Sequence, residues 1–103
     1  MSEHIIKKGK ANLWKGYEAA GGTLFLSETE LTHRPHAVNI QSGVISIGLD
    51  EIEQVEATAN KLLFIPIPNG LTVTLRNGER YQFVVFGRRK WIDEIEYTIK
   101  NFV

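Results

Sequence analysis

The chain has 103 residues, with 12 Lys+Arg against 12 Asp+Glu, so its formal charge is zero; nucleic-acid binders carry a basic excess, and none is expected as a partner. With 43% hydrophobic and 23% charged residues, the composition is that of one compact domain able to bury a core without staples. Cysteine is absent, which excludes disulfide frameworks, thiolate metal sites and cysteine nucleophiles.

Taken in order, residues 1–10 are polar and lysine-rich and read as a flexible leader, followed by one domain over 11–103. No apolar run suits a signal peptide, and none approaches the ~20 residues needed to cross a bilayer. The chain is therefore expected in the cytoplasm, with peripheral membrane association as its closest approach to lipid. From Ala11 onward, short segments rich in β-branched and aromatic residues alternate with turn signals, the pattern of an all-β sandwich or barrel. Strands are expected near Ala11–Ala20, Thr23–Leu26, Leu31–His36, Val44–Ile47, Ile52–Thr58, Leu71–Leu75 and Arg80–Phe86. Gly21-Gly22, Ser27–Glu30, Gln41–Gly43, Gly48–Asp50, Asn60–Gly70 and Asn77-Gly78 supply the breaks. Leu62–Ile65 suits an extra short strand, ended by Pro66 and Pro68, which lack the ladder N–H.

Side-chain parity fixes two connections. A two-residue Asn77-Gly78 turn sets Leu75 against Arg80 and Val73 against Gln82, apolar beside polar. A three-residue loop, Arg76–Gly78, sets Val73 against Tyr81 and Leu71 against Phe83. Because a one-residue slip exchanges the faces of a strand, the second register is expected, with Gly78 in the left-handed region. The same test sets Leu26 opposite Leu31 across Ser27–Glu30. The period then changes. Trp91, Ile92, Ile95, Ile99 and Phe102 share an arc of roughly 100°, the stripe of an amphipathic helix. Glu96 and Lys100 stand in the favourable i,i+4 order.

Gly22-Thr-Leu-Phe-Leu-Ser-Glu-Thr-Glu-Leu31, Ile45-Ser-Ile-Gly-Leu-Asp-Glu-Ile52, Gly70-Leu-Thr-Val-Thr-Leu-Arg-Asn-Gly78 with Phe83, and Arg88-Arg-Lys-Trp-Ile92 follow one another in this order. In that order and spacing, over about residues 11–102, the chain resembles the GRAM branch of the pleckstrin-homology-like superfamily. The resemblance implies a mostly β fold with one helix: a seven-stranded barrel of two near-orthogonal antiparallel sheets, capped by a C-terminal helix whose Trp91 packs on it. It also implies a non-enzymatic module that binds proteins or anionic membrane surfaces. Phosphoinositide-binding relatives place Lys and Arg between their first two strands. Here that connection is expected at Ala19–Gly22, which holds no cation, so the inositol-phosphate clamp is not carried over.

Charge is uneven along the chain: residues 1–17 sum to +3, 18–56 to −6, and the rest to +3. Arg88, Arg89 and Lys90 open the helix, where cations oppose the dipole, and Gly87 stands where a Ser, Thr, Asp or Asn cap is usual. Either these cations pair with Asp93 and Glu94 one turn on, or they form an anion site joined by Lys7, Lys8 and Lys10. Leu62, Leu63, Phe64, Ile65 and Ile67 exceed what one strand face can bury, and they form a candidate surface for membrane contact or self-association. His33 and His36 are three apart, which sets them on opposite faces of a strand and argues against a shared metal; His33 takes the inward parity of Leu31. Asp50-Glu51 reads as an acidic turn. No nucleotide-binding glycine loop and no Gly-x-Ser-x-Gly elbow occurs. No catalytic residue, metal or cofactor is expected. The partner is a protein or an anionic membrane, with structural self-association as the alternative function.

Overall fold

The computed structural model describes residues 4–15, 18–36, 43–58, 61–62, 65–66 and 69–102. Among the described residues nine strands precede a single helix: β1 Ile5–Lys15, β2 Glu18–Ser27, β3 Glu30–Pro35, β4 Ile45–Gly48, β5 Ile52–Ala57, β6 Lys61–Leu62, β7 Ile65–Pro66, β8 Gly70–Leu75, β9 Arg80–Val85 and α1 Arg88–Lys100. A single 3-10 turn, Leu49–Glu51, joins β4 to β5.

Seven of these strands form one antiparallel sheet in the order β4-β3-β2-β1-β9-β8-β5. Among the described residues this is one continuous sheet not closed by hydrogen bonds, and the two near-orthogonal sheets expected from the sequence are not seen as separate ladders. The reason is the length of β1. Ten of its 11 residues pair with β2, with a register shift between Ile5 and Lys7, and Ala11–Trp14 pair with β9 on the other edge. One strand therefore joins the two halves of the ladder.

Two further expectations fail at the same place. Residues 5–10 are not a leader but the first half of β1, hydrogen-bonded to β2. Gly21-Gly22 is not a turn: both glycines lie inside β2, and the first hairpin turns between Lys15 and Glu18. Gly22 answers to crowding instead. A Cβ there falls 2.3 Å from the Arg34 carbonyl oxygen and 2.8 Å from Pro35 Cα on the neighbouring strand. Ala19–Gly22 is consequently not the connection between the first two strands.

The later registers are those expected from parity. Val73 pairs with Tyr81 and Leu71 with Phe83. Gly78 has φ 96°, Gly78 N–H donates to the Leu75 carbonyl at 2.9 Å, and Leu75 N–H donates to Glu79 at 2.8 Å. Leu26 pairs with Leu31. Ser27 Oγ ties that connection by accepting the Glu30 N–H at 3.0 Å and the Thr29 N–H at 3.2 Å, the local side-chain bonding that favours serine in turns. In place of one strand over Leu62–Ile65, Lys61–Leu62 and Ile65–Pro66 pair with each other, Leu62 opposite Ile65 and Lys61 opposite Pro66, in a ladder apart from the main sheet.

Among the described residues the buried apolar side chains form one core. Leu24, Leu26, Leu31, Ile47, Leu71, Val73, Phe83 and Ile95 are buried with Trp91, which is 2% exposed. Trp91, Ile95 and Thr98 form the buried stripe of α1, with Ile92, Ile99 and Phe102 half-buried beside it. His33 is buried as its parity requires; its Nε2 donates to the Ala11 carbonyl at 2.9 Å, and its ring lies 5.7 Å from that of Phe83. That bond lets a polar ring enter an apolar core.

Candidate functional site

The start of α1 is built from three elements. β9 ends at Val85 and Phe86 follows, 88% exposed. Gly87 then turns the chain with φ 70° and ψ 48°, and its carbonyl accepts the Trp91 N–H at 3.1 Å. Glycine adopts this left-handed geometry without the clash a Cβ brings. No side chain caps the helix and no acidic residue occupies its first turn, so the positive end of the dipole is uncompensated.

Of the six cations singled out in the sequence, β1 and α1 bring five to this end. Arg88 is half-buried; its Nη1 donates to the Gly70 carbonyl at 3.2 Å, the same oxygen that accepts the Thr58 N–H at 2.9 Å. Arg88 therefore fastens the helix start to the beginning of β8. Arg89 is exposed and borders a shallow cavity with Ala57, Asn69 and Ile92. Lys90 is exposed beside the buried Trp91. Lys7 reaches the helix from β1, its Nζ 5.2 Å from the centre of the Trp91 ring, a cation–π distance. Lys10 is exposed on the outer side of β1 and lines a groove with Phe86. Lys8 shares the parity of Lys10 but lies opposite Phe25 of β2, and no contact among the described residues draws it to the helix.

The expected pairs along the helix do not form. Among the described residues, none of Arg89, Lys90, Asp93, Glu94, Glu96 or Lys100 carries an ion pair within 4.0 Å. Exposed pairs of this kind gain little and cost side-chain entropy. The charge at the helix start is thus balanced neither by a cap nor by its own carboxylates. Such an end can hold phosphate or carboxylate through N–H groups and flexible cations.

The other sequence candidates do not assemble into a site. His33 is buried while His36 is exposed, with Nε2 3.5 Å from Thr23 Oγ1. Among the described residues no three His, Asp or Glu side chains are placed to share a metal. Asp50 and Glu51 are exposed on the 3-10 turn, where the Arg76 Nε donates to the Asp50 carbonyl at 3.0 Å. The side chains of Leu62, Leu63, Phe64, Ile65 and Ile67 lie outside the described residues.

The sequence reading missed the outer side of β1 and β9. Trp14 and Val84 are half-buried there and Phe86 is exposed, forming with Lys10, Asn12 and Asn69 a groove of about 740 Å³. The signal was available in the alternation Lys10, Asn12, Trp14 opposite Ala11, Leu13, once the strand is known to begin before residue 11.

No family model matches the sequence, and no curated protein matches it. Solved structures do match in shape. The C-terminal domain of a protein from Leishmania infantum superposes with a TM-score of 0.80 at 14% identity, covering 94% of this chain and 84% of that one. The linker-DH/PH fragment of p115-RhoGEF gives 0.79 at 13% identity, with 98% of this chain matching 30% of that chain. The Slm1-PH domain, solved with phosphoserine, gives 0.71 at 16% identity, covering 93% and 96% of the two chains. The strand order, the covering helix and these superpositions together assign the chain a pleckstrin-homology-like fold.

Proposed function

We propose that the chain is a non-enzymatic, GRAM-type binding module that engages anionic surfaces through the cations around the start of α1. The observation that carries this reading is the uncompensated helix opening: Arg89 and Lys90 stand exposed on a helix with neither cap nor first-turn acid. Lys7 and Lys10 arrive from β1 to the same end. A chain selected only for stability favours Asp or Glu at these positions, by about 0.3–1 kcal/mol each. Phosphate is the group such an end holds best, and the Slm1-PH domain was solved with phosphoserine. A fold hosts many functions, so the proposal rests on the charge placement.

The test is co-sedimentation with vesicles containing phosphatidylserine, beside vesicles of phosphatidylcholine alone. Binding to the anionic vesicles is expected to fall steeply with salt, because exposed charges are screened beyond about 8 Å at physiological ionic strength. An Arg89→Ala/Lys90→Ala double variant keeps the Arg88–Gly70 fastening and is expected to lose the vesicles while remaining folded. Little preference among inositol-phosphate isomers is expected from so open an arrangement. If the parent ignores anionic vesicles and free phosphate compounds at low salt, the reading is wrong. Light scattering then decides for the alternative, self-association through residues 62–67, where the β6–β7 ladder stands apart from the main sheet.

A further inference from the structure

Phe86 is the most exposed of the large apolar side chains among the described residues, at 88%. A lone exposed phenylalanine needs no explanation, but this one is not alone. It continues the apolar floor formed by Trp14 and Val84 on the outer side of β1 and β9. Cations rim it: Lys10 lines the same groove, and Asn69 is shared between that groove and the cavity bordered by Arg88 and Arg89. The groove runs along β1 from Gly9 to Trp14, beside Val84, Val85 and Phe86.

An aromatic tip with Lys10 in its groove and Arg89 on the adjoining cavity has a definite chemical complement. The cores of protein–protein interfaces are depleted in Lys, whereas the boundary layer of a bilayer accepts aromatic rings at the depth of the acyl ends while long cationic side chains reach back to the phosphates. The groove itself includes a lysine, so its charge complements an anionic lipid surface better than an apolar protein face. We propose that the outer β1–β9 face is a membrane-insertion surface, in which Phe86 enters the interfacial layer of an anionic bilayer while Lys10 and Arg89 sit on lipid phosphates. The proposal rests on the anionic-surface reading above and names its source as lipid.

The experiment uses the full chain with vesicles of phosphatidylserine and phosphatidylcholine, and inositol hexakisphosphate as the soluble anion. Phe86→Ala is expected to weaken vesicle binding by roughly tenfold, the effect of withdrawing one ring from an apolar phase, with binding of inositol hexakisphosphate and the melting temperature unchanged. Phe86→Trp is expected to shift its added emission to the blue on vesicles and to be quenched by brominated acyl chains, measured against the parent signal of Trp14 and Trp91. If Phe86→Ala binds vesicles as the parent does and Phe86→Trp stays unshifted, the insertion surface is refuted while the anionic-surface reading stands. A blue shift that grows with protein concentration in the absence of vesicles makes the face an interface between copies and overturns the membrane assignment. A parent that binds neither vesicles nor inositol hexakisphosphate removes both proposals together.

Discussion

The two sides of the β1–β9 pair are written by alternate residues of the same strands, yet they obey different rules. Facing inward, Ala11, Leu13, Phe83 and Val85 are each at most 3% exposed and are closed over by Trp91. Facing outward, Lys10 and Asn12 are exposed, Trp14 and Val84 are half-buried, and Phe86 follows at 88% exposure. The inner side has no room to change, because interiors are packed as densely as organic crystals. The outer side retains apolar area that packing does not use. Apolar surface left outside a well-filled core, beside cations left outside any ion pair, is where interaction with other molecules is affordable.

This contrast can be broken most directly from the inside. Trp91→Ala is expected to cost roughly 3–5 kcal/mol, the range for deleting a large buried aromatic, against a total stability of roughly 5–15 kcal/mol for such domains. A thermal melt with an unchanged midpoint contradicts the inner assignment. Gly22→Ala is expected to cost about 1–3 kcal/mol as an overpacking change, since the added methyl meets strand backbone rather than a flexible side chain. Denaturant titration measures it, and the slope should hold while the midpoint falls.

Lys7 stands at the boundary, half-buried over the Trp91 ring. Lys7→Gln is expected to remove about 0.5–1 kcal/mol of cation–π attraction, visible as a small fall in melting temperature. At the exposed end the sign reverses. Arg89→Ala/Lys90→Ala withdraws two cations from the positive end of a helix, so the melting temperature should rise slightly, by the equivalent of about 0.3–1 kcal/mol per charge, while vesicle binding is lost. Stability and binding moving in opposite directions is the signature of residues kept for a partner. Phe86→Ala closes the series, within about 0.5 kcal/mol of the parent in stability.

How far the sequence disclosed this arrangement depended on whether a local rule had a competitor. The β8–β9 hairpin was legible because only one register sets Val73 on Tyr81 and Leu71 on Phe83, and Gly78 then has a single role. The helix was legible because the stripe from Trp91 to Phe102 has one period. The first hairpin was not, since two adjacent glycines signal a turn far more often than a tight approach between strands, and only the distance to Arg34 reveals the latter. Residues 5–10 were obscured by their lysines, whose charge masks an alternation that sets Lys7 inward over an aromatic ring and Lys10 outward. The cations at the helix start were visible as a run, but their freedom from Asp93 and Glu94 required side-chain positions. Phe86 has the sequence pattern of a strand's last residue, and only its exposure sets it apart.

The pairing of β1 with β9 also governs how the protein is made. Ala11 is hydrogen-bonded to the strand of Val85, so β1 leaves the ribosome well before the strand it pairs with. At roughly 5–20 residues per second, the β1–β2 hairpin spends several seconds with Leu13, Leu24 and Leu26 uncovered and one strand edge unpaired. Pairings of such sequence separation fold on the slow scale of milliseconds to seconds even when the chain is complete. The hairpin is therefore the stretch a chaperone has most reason to hold during synthesis, and its alternating lysines, which no neighbouring chain can easily stack upon, are its own protection until β9 arrives.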